Sequence, residues 1–218
     1  MLDLQAASIW RDLCVELDSA HGDVLDVGSG AQPYRTLLPN GTRYRAIDIA
    51  QAGTRFGYHL PDTEYFEGSR WPVADASVDL VLATETLEHV LEPPAFLAEA
   101  RRVLRRRGRL VITVPFSARW HYIPYDYWRF TPSSLSSLLT EAGFPEVAVY
   151  ARGNEFTVAC YKVMALILRS LSRAKGHLAA RQATLLFLPL VPLLALLGQV
   201  SLRFGGGEDC LGWTAVAT

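Results

Sequence analysis

The sequence has few of the residues and segments that mark secreted, metal-stapled or nucleic-acid-binding proteins. Its 218 residues include three cysteines, which are too scattered for a zinc site and odd in number for a disulfide framework. The formal net charge is only −1, which argues against a general nucleic-acid binder. The first residues lack the basic and apolar regions of a secretory signal, and no internal repeat or low-complexity tract occurs. The sequence therefore predicts a single cytoplasmic domain.

Apolar residues are plentiful by contrast, and their spacing predicts an α/β fold. Half of the residues are hydrophobic and 20% are charged, a composition that excludes an intrinsically disordered chain. Short apolar runs typical of buried strands alternate with segments of helical spacing, and this order predicts a mostly parallel sheet with helices on both faces. The predicted strands are residues 23–27, 44–48, 63–66, 78–83, 108–114, 146–150 and 212–217. The predicted helices include residues 4–17, 93–104 and 131–142.

A glycine-containing turn follows the first predicted strand, at the edge where parallel sheets bind their ligands. In Asp26-Val-Gly28-Ser-Gly30 the glycines allow a ligand to approach the backbone directly. Pro33 stands where a dinucleotide fingerprint has its third glycine, so the pattern gives little support to pyrophosphate binding. Asp48 closes the second strand about 20 residues later, where a carboxylate can accept both hydroxyls of a ribose. The alternative is an ordinary strand-to-helix turn with a capping acid.

Four motifs in order resemble the class I S-adenosylmethionine-dependent methyltransferases, in particular the methyltransferase type 11 family. They are DVLDVGSGAQPY at 23–34, AIDIA at 46–50, WPVADASVDLVLATETLEHV at 71–90 and EARRVLRRRGRLVITVPF at 99–116. The match covers roughly residues 20 to 150. It is much more specific than one glycine loop.

The resemblance implies a Rossmann-like, seven-stranded sheet with one late antiparallel strand and S-adenosylmethionine bound at its carboxyl edge. Asp26 and the glycine turn would line the methionine end of this cofactor, and Asp48 would hold the ribose. Glu67 falls near the acidic position that usually neighbours the adenine, although its surroundings depart from the family pattern. Glu85 would border the cofactor. The implied cofactor-binding residues are Asp26, Gly28, Ser29, Gly30, Asp48, Ile49, Glu67 and Glu85.

Glu85, Glu88 and His89 follow the fourth predicted strand, and helical spacing would place all three side chains on one face. This arrangement is similar to the metal site of small-RNA 2′-O-methyltransferases and of some quinone-biosynthesis O-methyltransferases, with His121 as a distant ligand. The same ending is frequent in type 11 enzymes without a metal, where the histidine packs or handles a proton. We expect no metal here, and we take His121 and His89 as the candidate catalytic bases.

The segment 116–131 joins the fifth strand to the next helix at the ligand-binding edge and contains seven aromatic residues. Aromatic rings supply rigid walls for an acceptor, and polar side chains between them supply a base and anion or hydrogen-bond contacts. The alternative is a packed loop in which Asp126 and Arg129 pair with each other. The candidate substrate-binding residues are Trp120, Tyr125, Asp126 and Arg129.

A segment before the last strand is both apolar and basic. Residues 155–203 contain one acid and six bases, and residues 182–202 carry no formal charge over about the length that spans a bilayer. Three interpretations stay open: a helix pair packed on its own domain, a monotopic surface anchor, or a true span. The expected division is therefore an N-terminal helix at 1–19, a cofactor-binding core at 20–154, an apolar helical insertion at 155–207 and a final strand at 208–218.

The sequence thus predicts an S-adenosylmethionine-dependent methyltransferase that modifies a small-molecule, glycan or lipid-linked acceptor, at oxygen. Its partners would be that acceptor and, through residues 156–203, the inner face of a membrane; nucleic acid is not expected. The alternative is a non-catalytic, membrane-associated binding module with the same fold. Retention of the glycine turn together with both aspartates favours the enzyme.

Overall fold

A computed structural model describes residues 2–173 and 185–218, which form a sheet flanked by helices. The strands are β1 (Asp23–Val27), β2 (Arg43–Ile49), β3 (Thr63–Phe66), β4 (Val78–Thr84), β5 (Leu104–Pro115), β6 (Val147–Arg152) and β7 (Gly212–Ala217). The helices are α1 (Leu4–Glu16), α2 (Ala52–Phe56), α3 (Pro93–Val103), α4 (Pro132–Glu141), α5 (Glu155–Arg173) and α6 (Leu190–Ser201). Two short 3₁₀ turns cover Arg35–Leu37 and Leu87–His89.

The seven strands lie in the order β3-β2-β1-β4-β5-β7-β6. Strands β1 to β5 are parallel to one another, whereas β7 runs antiparallel between β5 and β6. The chain order reverses between β1 and β4, so the loops after these strands diverge and leave a crevice at their carboxyl ends. The predicted Rossmann-like, mostly parallel sheet is confirmed.

Alternation along the central strands covers both faces of the sheet, because successive side chains point to opposite sides. On one face, Leu25 and Ile112 pack with residues of α3 and α4 such as Leu97 and Leu135. On the other face, Val24 and Leu82 pack with Leu13 and its neighbours on α1. These two cores fix the helices on both faces of the sheet.

Local signals set the starts of α1 and α4. The Asp3 carboxylate caps α1 by accepting from the amides of Gln5 and Ala6 at 2.9 and 3.2 Å. Thr131 and Ser134 form a reciprocal capping box at the start of α4, with Pro132 in its first turn. These starts agree with the predicted helices at 4–17 and 131–142.

Strand β5 begins earlier than the sequence predicts. A helix to Leu104 and a strand from Gly108 were expected, but α3 ends at Val103 and β5 already starts at Leu104, which pairs with Val78 before a bulge. Arg105 is the second residue of this strand, and it forms ion pairs with Asp79 and Asp23. The arginine-rich run is therefore divided: Arg101 and Arg102 lie in the last turn of α3, and the later arginines belong to β5.

Residues 174–184 of the apolar segment lie outside the described residues, and its described parts contain the helices α5 and α6, which pack on each other and on α1. Buried side chains of α5 such as Met164 and Ile167 share one core with Val191 and Ala195 of α6. Gly198 allows close contact with α1, because a Cβ there would lie 2.4 Å from Leu4 Cδ1. In the described ranges 2–173 and 185–218, no helix combines the length and the apolar character needed to cross a bilayer.

Candidate active site

A cleft of about 590 Å³ lies at the carboxyl ends of β1, β2 and β4. Its walls come from the turns after these strands, the start of α3 and the loop that follows β5. Of the expected cofactor residues, Gly28, Ser29, Gly30, Asp48, Ile49 and Glu85 line it. These six residues therefore share one cleft, and their contact with a cofactor stays a prediction.

The glycine turn after β1 forms one wall of the cleft. Gly28 and Gly30 have positive φ angles of 67° and 51°, a conformation that side chains with a Cβ rarely adopt. The Gly28 amide donates to the Ile47 carbonyl at 3.0 Å, which ties the turn to β2. A Cβ on Gly28 would lie 2.3 Å from Thr86 Cγ2, in the turn after β4. The wall is thus bare backbone held between two neighbouring turns.

Gly28→Ala should destabilise the protein more than Gly41→Ala. Both residues have positive φ angles, but a Cβ on Gly41 meets nothing within 4 Å. The control should therefore lose only about 1–2 kcal/mol of unfolding free energy from backbone strain. Displacement of Thr86 should bring the loss at Gly28 to about 2–5 kcal/mol. Urea unfolding of both variants measures this, and equal losses would contradict the packing described for the turn.

Asp48 lies at the end of β2 with its carboxylate on the cleft. One oxygen accepts from the Gly30 amide at 3.1 Å and the other from the Ile49 amide at 2.8 Å. A carboxylate offers about four lone-pair positions, so about two remain for a ligand. Burial raises the pKa of Asp48 above its usual value, while the two backbone bonds favour the charged form. The arrangement suits a ligand with two adjacent hydroxyl groups.

Asp26 lies beneath the glycine turn and does not line the cleft. Its Oδ2 accepts from the Tyr44 hydroxyl at 2.7 Å, and its buried Oδ1 has no hydrogen-bond partner. Burial raises the pKa of this carboxyl to about 7, against the effect of the Tyr44 bond. The expected contact of Asp26 with the methionine end of the cofactor stays a prediction.

Asp26 should make the stability of the protein depend on pH. Its carboxyl has a pKa of about 7 in the folded protein and an ordinary value of 3.8. The unfolded chain therefore loses this proton first as the pH rises, so the group's contribution to the unfolding free energy falls between about pH 4 and 7 and then levels off. The side chain of the Asp26→Asn variant does not titrate. Across this range the unfolding free energy of the wild type should therefore fall relative to that of the variant. Parallel profiles in urea titrations at stepped pH would refute the assignment.

One end of the cleft is an apolar slot that the sequence analysis missed. Phe66, Trp71 and Phe96 line it, and the rings of Trp71 and Phe96 meet edge to face at 5.0 Å between centroids. Glu67, expected near an adenine, is exposed and lies outside the lining, whereas the next two residues belong to it. Because aromatic rings line this slot and the Glu67 carboxylate does not, the slot suits a flat apolar group. The aromatic residues after β3 were the available signal.

Glu85 and Glu88 point in different directions, which corrects the expected single helical face. Glu85 precedes the 3₁₀ turn and has a positive φ of 49°, so it does not share a helix with Glu88 and His89. The Glu85 carboxylate accepts from the buried Arg152 guanidinium of β6 at 2.7 Å and still lines the cleft. Arg152 also donates to the Val114 carbonyl at 2.9 Å. This arginine fixes Glu85 from behind.

Two histidines meet at the other end of the cleft. His89 and His121 both line it, with ring centroids 5.0 Å apart. His89 Nδ1 lies 2.7 Å from the Tyr125 carbonyl oxygen, and burial lowers the pKa of this imidazole. His121 Nδ1 lies 2.9 Å from Asp126 Oδ2 and 3.0 Å from the Arg119 carbonyl oxygen. Because each Nδ1 faces acceptors, it carries the proton and leaves the Nε2 lone pair as the basic position.

Glu88 lies behind the two histidines. Its side chain is buried, both of its oxygens lack hydrogen-bond partners, and burial raises its pKa well above the usual value, with Glu85 adding to the effect. Ligand atoms of Glu88, His89 and His121 lie within 4.8 Å of one another, so these three could hold a cation. The expectation of no metal stays a prediction. The raised pKa favours the neutral carboxyl, which binds cations weakly.

The expected substrate residues support the cleft and do not line it. The Arg129 guanidinium donates to both Asp126 oxygens at 2.6 and 2.8 Å, which is the packed-loop alternative. Although burial alone would raise its pKa, Arg129 and the His121 amide hold the pKa of Asp126 below its usual value. The ring of Tyr125 packs against Arg55, and Trp120 is exposed. In their place the lining contains Tyr58, Tyr122 and Tyr127.

Comparisons with known proteins agree on one family. Residues 25–112 match the family model described as a methyltransferase domain. A probable S-adenosylmethionine-dependent methyltransferase of Mycobacterium tuberculosis is 35% identical over 142 residues, which cover 58% of this chain and 50% of that protein. Demethylmenaquinone methyltransferase of Tropheryma whipplei is 30% identical over 148 residues, which cover 63% of this chain and 61% of that protein. The chain thus spans about half to three fifths of the length of these relatives.

A solved structure supports the same fold. The crystal structure of a SAM-dependent methyltransferase from Aquifex aeolicus aligns with a TM-score of 0.51 and 22% identity, over 69% of this chain and 87% of that one. At this identity the likeness concerns the fold.

Proposed function

The chain contains a class I S-adenosylmethionine-dependent methyltransferase domain, and from this premise we propose that it transfers a methyl group to a hydroxyl of an acceptor. The observation that carries the proposal is the Asp48 carboxylate, which has lone pairs to spare beside a bare glycine wall. The acceptor lies at the end of the cleft where His89 and His121 meet. It is a small molecule or a small group carried by a lipid or glycan.

The residues of the cleft fit S-adenosylmethionine at three points. Asp48 would accept from the two ribose hydroxyls, because about two of its lone-pair positions are free. The apolar slot lined by Phe66, Trp71 and Phe96 would take the flat adenine. The backbone at Gly28 to Gly30, which lines the cleft, would face the remainder of the cofactor.

The protein's share of the chemistry is alignment, exclusion of water and removal of a proton. When bound, S-adenosylmethionine supplies a methyl group attached to a positively charged sulfur. An acceptor atom takes the methyl group by displacing the sulfur. Tyr58 and Tyr122 come from two separate loops, and their hydroxyls are 2.8 Å apart beside the cleft. This bridge helps to shield the reacting atoms from solvent and to orient them.

His121 is the proposed general base. Asp126 and the Arg119 carbonyl hold the proton on Nδ1, so Nε2 can accept a proton from an acceptor hydroxyl. His89, whose pKa is lowered by burial, stays neutral beside it and is the second candidate. A hydroxyl acceptor needs such a base, because its oxygen is a weak nucleophile until the proton leaves. This need supports transfer to oxygen.

Transfer of a labelled methyl group tests the proposal. The purified chain is incubated with S-adenosylmethionine labelled in its methyl group and with a cell extract, which is then separated into lipid, glycan, protein and small-molecule fractions. We expect label in the small-molecule, lipid or glycan fraction. Cofactor binding without transfer to any fraction would instead identify a non-catalytic binding module.

A further inference from the structure

We infer that the outer side of the α5–α6 pair, together with residues 185–188, is a docking surface for the anionic face of a lipid bilayer. We call it the apolar surface. Among the described residues, 24 large apolar side chains are exposed, and 14 of these lie between positions 156 and 204. Soluble monomers rarely expose apolar patches on this scale unless the patch binds something.

The exposed side chains follow one stripe on each helix. On α5, Phe156, Val163 and Leu166 recur at helical spacing on the side opposite the buried core, and Leu166 is 66% exposed. On α6, Leu193 and Leu196 do the same, and Leu196 is 61% exposed. The inner stripes already bind the two helices to each other and to α1. The outer stripes are therefore not needed for the fold of the described residues.

The charge of the segment selects an anionic bilayer as the occupant. Residues 155–203 contain six bases and one acid in the sequence. By helical spacing, Lys162 and Arg169 lie along one edge of the α5 stripe. A second copy of the chain would bring the same excess of positive charge to the contact and would be repelled. Anionic lipid headgroups attract basic residues that flank an apolar face, and the acyl region accepts the face itself.

The apolar surface also adjoins the mouth of the cleft. The Lys162 ammonium donates to the Ser117 carbonyl at 2.5 Å, in the loop that continues to His121. Further along this loop Trp120 and Ile123 are each 60% exposed. A bilayer on the apolar surface would therefore lie close to the end of the cleft that holds the histidines. If the proposed function holds, an amphiphilic acceptor could reach His121 without leaving the bilayer.

Vesicle flotation of the full chain tests the docking surface. Vesicles of phosphatidylcholine are compared with vesicles that also contain phosphatidylglycerol, at low and at high salt. We expect binding to the anionic vesicles that weakens with salt and is much lower without phosphatidylglycerol. The double variant Leu166→Glu, Leu196→Glu should bind at least ~tenfold more weakly. Val15→Glu, at a 71% exposed position on α1, is the matched control and should bind like the wild type.

Three outcomes would overturn the inference. They are no binding of the wild type to either vesicle, equal binding of the double variant and the wild type, and a wild-type dimer in gel filtration that the double variant converts to monomer. Calorimetry with S-adenosylmethionine on the same samples separates this question from the proposed function. Retained cofactor affinity in the double variant shows that it is folded, and the salt dependence of the wild type tests the inference without any variant.

Discussion

His121→Ala should lower kcat by ~10²–10⁴-fold and leave the affinity for S-adenosylmethionine unchanged. The imidazole is the best-placed base in the cleft, because Asp126 and the Arg119 carbonyl fix its proton on Nδ1. Alanine removes the proton acceptor without touching the glycine turn or Asp48. Single-turnover transfer to the identified acceptor, beside calorimetry with the cofactor, measures both quantities.

His21→Ala is the control, because His21 is exposed before β1, outside the cleft, with its Nδ1 at 3.1 Å from the nearby Ser19 carbonyl. It should transfer methyl groups like the wild type. A second variant, Asp126→Asn, should shift the pH profile of kcat, since an amide can present the wrong partner to His121 Nδ1 and favour the other tautomer. If His121→Ala retains full kcat, the proton acceptor is another group, and His89 is the next candidate.

Asp48→Ala should weaken binding of S-adenosylmethionine by ~100-fold. Two hydrogen bonds from ribose hydroxyls to a carboxylate together contribute about 3 kcal/mol, which corresponds to that factor. The same substitution removes the acceptors of the Gly30 and Ile49 amides and so loosens the turn that faces the ligand. Titration calorimetry with S-adenosylmethionine and with its demethylated product measures the loss.

Glu64→Ala is the matched control for Asp48. Glu64 lies on the neighbouring strand β3, is exposed and pairs with Arg45 outside the cleft. It should leave cofactor affinity unchanged, and thermal melting of both variants separates a loss of binding from a loss of fold. An Asp48→Ala variant that binds as tightly as the control would remove the ribose assignment.

The sequence predicts the sheet because each central strand is a short, nearly continuous apolar run. Asp23–Val27 and Val78–Thr84 are buried on both faces, so almost every residue reports burial. The start of β5 could not be predicted in the same way. Three arginines follow its first residue, and one of them, Arg105, pairs with acids that lie far away in the chain, at Asp23 and Asp79.

The site was predictable where function depends on the backbone and less so where it depends on side-chain partners. Gly28 and Asp48 lie at positions that strand ends fix, so motif spacing locates them at the cleft. Glu85 is held by Arg152, which comes 67 residues later, and no local spacing reveals that pair. The apolar slot was missed because Trp71 and Phe96 come from a loop and a helix that meet only in the fold.

The apolar segment shows how an ambiguous sequence signal divides once the helices are placed. Apolar residues at Met164 and Val191 face inward and satisfy the packed-pair interpretation, whereas Leu166 and Leu196 face solvent and leave a surface for a partner. One composition thus serves two roles on opposite sides of the same helices. Sequence alone gives the stripes but not which stripe is covered.

The most direct test of the central claim is a crystal structure of this chain with S-adenosylhomocysteine at saturating concentration. We expect the ribose hydroxyls to lie within hydrogen-bond distance of the Asp48 carboxylate and the adenine to lie in the slot beside Trp71. The sulfur should point toward the end of the cleft that holds His121. An empty cleft, or a ligand bound away from Asp48 and the glycine turn, would contradict it.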